Sequence, residues 1–323
     1  MLLFDQHPDN KSIVVSVLGV PNVGKSSLIN CLLGMDLSIV NERPQTTRNK
    51  FHCVFNVDHA EIILVDTPGM HRSGQELNKR LNQQAIEGLE GVDLNLVLID
   101  ISRPLLAQIT EFKHVLAGRT LGKSWLILTK ADLIPGASAL PLQDVFDKMK
   151  EYIPTLERQF VVSAKQEDNI NVLVGALADA AIPGPHLYPK GEVSNKNMRF
   201  FASEYIREQA FKFLKDEIPY EVAVVVDDYQ ELFSVEDNQA ISKISASILV
   251  NRPSQRAIVI GSKGELIKTI GAQARQKIEA MTGGKVNLNI HVKVQPKWFK
   301  NNYVLTEIGL PRSQDSARVW RAK

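Results

Sequence analysis

Ile13-Val14-Val15-Ser16-Val17-Leu18-Gly19-Val20-Pro21-Asn22-Val23-Gly24-Lys25-Ser26-Ser27 is the stretch that decides the fold of the first half of this chain. The apolar run reads as a buried strand, and Ser26-Ser27-Leu28-Ile29-Asn30-Cys31-Leu32-Leu33 behind it reads as a helix. Between them lies the pattern G-x-x-x-x-G-K-S. Its glycines let the backbone pass close to an anion while successive N–H groups point inward. The positive end of the new helix adds to that field. Gly19, Val20, Pro21, Asn22, Val23, Gly24, Lys25, Ser26 and Ser27 therefore read as a cradle for the phosphates of a nucleoside triphosphate. Lys25 would reach the β- and γ-phosphates, and the Ser26 hydroxyl would ligate the Mg²⁺ that bridges them.

Outward from this loop, strand-like and helix-like patterns alternate to about Ile182. Expected strands are Ile13–Gly19, Phe51–Asn56, Glu61–Asp66, Leu94–Asp100, Trp125–Thr129 and Phe160–Ser163. Expected helices lie at Ser26–Leu33, Leu77–Gly88, Gln108–Leu116, Leu142–Tyr152 and Asn169–Ala180. The alternation predicts an α/β domain, a mostly parallel sheet with helices on both faces, and such sheets bind ligands at the carboxyl ends of their strands.

Further motifs fall at those ends. Asp66-Thr67-Pro68-Gly69 closes one strand: Asp66 can hold Mg²⁺ through a water, and the Gly69 N–H can meet a γ-phosphate oxygen and lose it on hydrolysis. Arg43-Pro44-Gln45-Thr46-Thr47-Arg48 joins the first helix to the next strand, and Thr47, preferred over Thr46, would complete the metal shell. Thr129-Lys130-Ala131-Asp132 and Ser163-Ala164-Lys165 select the base. The Asp132 carboxylate can accept from both the ring N–H and the amino group of guanine, the Lys130 stem can stack on the ring, and the Ala164 N–H can donate to the guanine carbonyl. Such a site rejects adenine, because its own polar groups would be left unpaired. An ATPase or nucleotide kinase therefore fails on Asp132.

At 323 residues the chain has room for two domains. No apolar run reaches membrane-spanning length, the start Met1-Leu2-Leu3-Phe4-Asp5 is too short and acidic for a secretory signal, and Cys31 and Cys53 read as free thiols, with no zinc-ligand spacing. Net charge is +2, yet after Asn251 basic residues far outnumber Glu265, Glu279, Glu307 and Asp315. That bias points to an anionic partner for the C-terminal part.

Pro- and Gly-rich residues from Ile182 to Gly191 mark a boundary. A helix over Asn197–Lys215 and strands at Glu221–Val226 and Ile244–Val250 follow. Next come Ala257-Ile258-Val259-Ile260-Gly261-Ser262-Lys263-Gly264, an amphipathic helix through Leu266, Ile267, Ile270, Ala274 and Ile278, and a last strand at Val286–Val294. Gly261-Ser262-Lys263-Gly264 fits the KH loop that clamps a single-stranded nucleic-acid backbone, with Ile258, Gly261, Ser262, Lys263, Gly264 and Lys268 as the expected RNA contacts.

With these residues in view, the first half is similar to the translation-factor class of small GTPases, and nearly the whole chain resembles the Era family of bacterial ribosome-assembly GTPases. The most specific residues are Gly19–Ser27, Gln45-Thr46-Thr47-Arg48, Asp66–Gly69 followed by Met70-His71, and Leu77-Asn78 with Arg80, Asn82 and Ala85. The resemblance implies a P-loop GTPase domain over residues 1–185, a linker over 186–197, a smaller α+β type II KH domain over 198–300 and a tail over 301–323. It implies GTP/GDP and Mg²⁺ as ligands and Lys25, Thr47, Gly69 and Asn22 as the catalytic set. Its RNA target would be the 3′ end of 16S ribosomal RNA on the 30S subunit. Met70 stands where many GTPases carry a water-orienting glutamine, and the family's implied solution is a K⁺ ion held by Asn22. Thr129 departs from the family's usual asparagine, a change expected to loosen nucleotide. Trp298 either packs the last turn or stacks a base. A monomeric cytoplasmic GTPase switch is the leading expectation, with the basic tail touching RNA or the anionic inner membrane. A constitutive RNA-binding protein with a nucleotide-stabilised, weakly hydrolysing G domain is the alternative.

Overall fold

A computed structural model describes residues 7–41, 43, 47–69, 76–116, 119–134, 142–234 and 239–310. The expectations placed on Gln45, Thr46, Met70, His71 and residues 311–323 lie outside the described residues. The chain divides into two compact units, Met1–Asn195 and Lys196–Lys323.

The first unit is built on β1 (Lys11–Leu18), β2 (Phe51–Val57), β3 (Ala60–Asp66), β4 (Leu94–Asp100), β5 (Ser124–Thr129) and β6 (Leu156–Val161), in the order β2-β3-β1-β4-β5-β6. All neighbours run parallel except β2, which is antiparallel to β3. Every residue of β3, β4 and β5 is buried, as expected of parallel strands covered on both faces. The helices are α1 (Lys25–Leu33), α2 (Glu76–Glu87), α3 (Leu105–Leu116), α4 (Leu142–Tyr152) and α5 (Ile170–Ala180). A short β7 (Ile182–Pro183) adds to β1. The sixth strand starts earlier than its apolar run, Phe160–Ser163, had suggested. At the sheet edge Glu157 and Arg158 are exposed, so pairing with β5, rather than burial, sets its start.

Residues 186–195, within the stretch read as a linker, lie against the β2–β3 edge. Buried Glu61 accepts hydrogen bonds from Leu187 N (2.7 Å) and Tyr188 N (3.1 Å), and His186 Nε2 meets His59 O at 3.0 Å. Val54 N donates to Val193 O at 2.9 Å, and Ser194 bridges Cys53.

The second unit runs α6 (Met198–Phe213), α7 (Ile218–Glu221), β8 (Ala223–Ser234), β9 (Gln239–Val250), α8 (Pro253–Ile260), α9 (Glu265–Thr282), β10 (Lys285–Val294) and α10 (Asn302–Glu307). Its sheet has the order β10-β9-β8, with β8 antiparallel and β10 parallel to β9. Both β8 and β9 outrun their apolar segments, because cross-strand hydrogen bonding carries the hairpin on through polar residues. Trp298 is buried and its Nε1 donates to Glu221 O at 2.7 Å, so it packs the domain and offers no face for a base. The start of the expected tail is also packed: Asn301 caps α10, and Leu305 is fully buried.

Candidate nucleotide and RNA sites

The loop between β1 and α1 holds Gly19 to Gly24, and Lys25, Ser26 and Ser27 form the first turn of α1. Lys25 is buried, and its Nζ donates to Gly19 O (3.0 Å) and Val20 O (3.2 Å). Burial lowers its pKa from 10.5 to about 8, against the opposing pull of the Asp66 and Glu111 carboxylates. The ammonium is thus held by the carbonyls of its own loop.

Beside it three oxygen groups converge. Ser26 Oγ and Thr47 Oγ1 lie 3.1 Å apart, and Thr47 Oγ1 is 3.4 Å from Asp66 Oδ2. All three side chains are buried. Two hydroxyls and a carboxylate are the donor set a hard divalent cation takes, so the residues fit Mg²⁺. Sequence reasoning missed Ser38, whose Oγ donates to Asp66 Oδ2 at 2.8 Å; Asn30 on α1 fixes Ser38 through its backbone N–H and C=O.

At the end of β3, Thr67 Oγ1 donates to Val17 O at 2.7 Å, and Pro68 and Gly69 are buried beyond it. A Cβ at Gly69 would lie 3.2 Å from Pro21 Cα and 3.3 Å from Lys25 Nζ. A side chain here would press on the phosphate loop, so glycine lets this backbone lie close to it. Lys25, Ser26, Thr47 and Gly69 line one cleft of about 750 Å³, together with Asn22, Arg103, Glu111 and Lys130, with the Asp66 carboxylate buried behind Thr47.

The base-selecting motifs flank the cleft. Thr129 Oγ1 lies 2.6 Å from Val23 O and 3.2 Å from Ile99 O, so the hydroxyl ties this loop to the phosphate loop. Lys130 pairs with buried Asp100 at 2.7 Å. Ala131 N donates to Val162 O at 3.3 Å, which draws the β5 and β6 ends together. Ser163 Oγ donates to Asp132 Oδ1 at 2.7 Å and accepts from Gln166 N at 3.1 Å, which orients the carboxylate. Ala164 is half-buried and Lys165 exposed on the same turn. Asp100, Arg103 and Glu111 were not singled out from sequence, although Asp100 stands at a strand's carboxyl end, the signal used for the other motifs.

In the second unit, Gly261 (φ 73°) and Gly264 (φ 78°) bracket Ser262 and Lys263 in a single tight turn between α8 and α9. A Cβ at Gly261 would meet Leu266 Cβ at 2.6 Å, so glycine is required both by φ and by space. Ile258, Ser262, Lys263 and Lys268 are exposed around the turn. Next to it a groove of about 320 Å³ has Ile267, Gly271, Leu288 and Ile290 among its walls, with Lys268 and Arg275 also lining it. Aliphatic walls with cationic side chains suit unstacked bases joined by phosphates. Arg275 and the β10 residues were not foreseen, because nothing in the sequence says that β10 lies beside α9.

Comparison with known proteins agrees with both units. The family model described as 50S ribosome-binding GTPase matches residues 14–130, and the KH domain model matches residues 217–299. GTPase Era of Geobacter sp. (strain M21) is 37% identical over 302 residues, 93% of this chain and 97% of the relative. GTPase Era of Thermosipho melanesiensis is 36% identical over 305 residues, 93% of this chain and 98% of the relative. Among solved structures, Era in complex with MgGDPNP and nucleotides 1506–1542 of 16S ribosomal RNA superposes with a TM-score of 0.83 at 28% identity, covering 93% of this chain and 99% of that one. A variant of Aquifex aeolicus Era bound to GDP·AlF4⁻ gives a TM-score of 0.82 at 29% identity, with the same coverage.

Proposed function

This chain belongs to the Era family of GTPases, and from that premise we propose that it is a GTP-hydrolysing switch. Its nucleotide state would set its affinity for the 3′ region of 16S ribosomal RNA during 30S subunit assembly. The observation that carries the reading is that Lys25, Ser26 and Thr47 line one cleft, with Asp66 held against Thr47 behind it, in a chain whose other unit holds a G-x-x-G turn. A solved Era relative bound to MgGDPNP and a 16S fragment supports it.

In this reading Lys25 and the 19–24 loop bind the phosphates, and Ser26, Thr47 and Asp66 hold Mg²⁺, which neutralises charge on the β- and γ-phosphates. Thr47 and Gly69 sense the γ-phosphate. Asp132, Lys130 and Ala164 select guanine, with Thr129 and Ser163 bracing that loop. Residues 1–185 form the G domain and 198–300 the KH domain, where Ile258, Gly261, Ser262, Lys263, Gly264 and Lys268 contact RNA. The protein works as a cytoplasmic monomer. Arg312, Arg318, Arg321 and Lys323 in the tail supply charge for peripheral contact with RNA or the anionic inner membrane.

Asn22 sits in the left-handed region (φ 60°) at the exposed lip of the phosphate loop. We assign it to a K⁺ ion that offsets charge developing during hydrolysis. GTP turnover is then faster in potassium than in sodium at equal ionic strength, and equal rates would remove the ion from the mechanism.

The test of the whole reading is affinity for a 16S 3′-end oligonucleotide, measured with GDP, with a non-hydrolysable GTP analogue and without nucleotide, using Gly261→Ala as the control for the KH turn. Affinity that differs between nucleotide states supports the switch. Identical affinities leave a constitutive RNA-binding protein.

A further inference from the structure

We infer that Arg103 is a catalytic residue of GTP hydrolysis, a cation supplied by the chain itself at the phosphate end of the cleft; this rests on the GTPase reading above. The strand order places β4 beside β1, so the loop leaving β4 abuts the loop leaving β1. Arg103 stands in that loop. Its Nη1 donates to Pro21 O at 3.2 Å, and it lines the same cleft as Asn22, Lys25 and Gly69.

The backbone beneath it is tightly held. Arg103 N donates to Asp100 O at 3.2 Å. The side-chain amide of buried Gln108 accepts from Asp100 N (3.0 Å) and donates toward Asp100 O (2.8 Å) and Arg103 O (3.3 Å). Ser102 binds Asp100 Oδ1 through both N (3.0 Å) and Oγ (2.6 Å), and the Asp100 carboxylate is also fixed by Lys130. Pro104 follows, with its φ set by the ring.

Against this rigid base the guanidinium is exposed, and among the described residues its recorded partner is one neutral carbonyl. A carbonyl occupies one of five N–H donors and cancels no charge. Glu111 faces the same cleft, but Asp100 and Asp66, the buried carboxylates nearby, are engaged by Lys130 and by Ser38 and Thr47. Arg103 is therefore a guanidinium on a fixed backbone, with its exposed head on the loop that carries the phosphates.

In the reaction, water attacks the γ-phosphorus and the bond to the β–γ bridging oxygen breaks. The electron pair of that bond remains on GDP, and the water proton leaves with the inorganic phosphate. Negative charge shifts among the bridging and γ oxygens as this happens. A planar guanidinium fork turned from Pro21 O toward those oxygens stabilises that shift more than it stabilises bound GTP.

The experiment compares the full chain with Arg103→Ala and Arg103→Lys in single-turnover GTP hydrolysis with Mg²⁺. Affinities for GDP, for a non-hydrolysable GTP analogue and for GDP with AlF4⁻ are measured alongside. Arg103→Ala is expected to slow hydrolysis by about tenfold to a thousandfold. Arg103→Lys, with charge but no fork, should fall between it and wild type. GDP and analogue affinities stay within about threefold of wild type, while the AlF4⁻ complex weakens in step with the rate. An unchanged rate overturns the inference. So does a rate that falls together with GDP affinity and thermal stability, which would make Arg103 a brace of the phosphate loop. Wild-type protein that fails to hydrolyse GTP overturns instead the reading on which the inference rests.

Discussion

Thr129 has one hydroxyl proton and two carbonyl neighbours, Val23 O at 2.6 Å and Ile99 O at 3.2 Å. The shorter contact crosses from the base-selecting loop to the phosphate loop. Thr129→Val keeps the shape and removes the donor. It should cost about 1–3 kcal/mol in urea unfolding of the nucleotide-free protein and speed GDP release, read by stopped flow. Lys25 sets a pH dependence whose sign follows from burial. In the unfolded chain its pKa is 10.5, and in the folded protein burial lowers it to about 8. Below about 8 the protein therefore carries the full penalty of a buried ammonium, and stability rises with pH across the window up to 10.5. Phosphates restore the charged form, so binding takes up a proton above pH 8. GDP affinity should then fall as pH rises from 8 toward 10, approaching about tenfold per pH unit, in calorimetric titrations run in buffers of different ionisation enthalpy. Affinity flat to pH 9.5 would show that the lysine is charged before nucleotide arrives.

At the scale of elements, the sheet brings the chemistry together by strand order. The residues closing β1, β3, β4 and β5 meet because those strands are neighbours and parallel, and the loops at their carboxyl ends share one edge. The opposite behaviour is seen along 186–195, which sequence composition marks as a connector because proline and glycine are frequent there. Its backbone is nonetheless spoken for by Glu61, His59 and Val54. The decisive group is a carboxylate distant in sequence, which composition cannot reveal. Glu61→Ala should leave Leu187 N and Tyr188 N short of their acceptor and cost about 2–3 kcal/mol in chemical unfolding. It should also make Lys190 and Lys196 faster sites of limited trypsin cleavage, while Glu61→Gln, which keeps an acceptor, lies nearer wild type.

For the whole molecule, two compact units with separate cores should unfold in two resolved transitions, and each ligand should act on one. GDP with Mg²⁺ at about one hundred times its Kd is expected to stabilise the first-unit transition by about 2.7 kcal/mol and a 16S 3′-end oligonucleotide to raise the second, in differential scanning calorimetry. Both ligands acting on one transition would contradict that partition. The sequence by itself determined the α/β alternation, the phosphate loop, the Asp66 and Asp132 motifs and the G-x-x-G turn. Each is a local pattern in which a backbone conformation or a chemical group is demanded within a few residues. Tertiary structure alone decided that Ser38 shares Asp66, that Asp100 holds Lys130, that Trp298 is interior, that residues 186–195 lie on a sheet edge and that Arg103 overlooks Pro21. Those pairings join residues tens of positions apart, and the free energy that selects them comes from burial and strand order, which no local window contains.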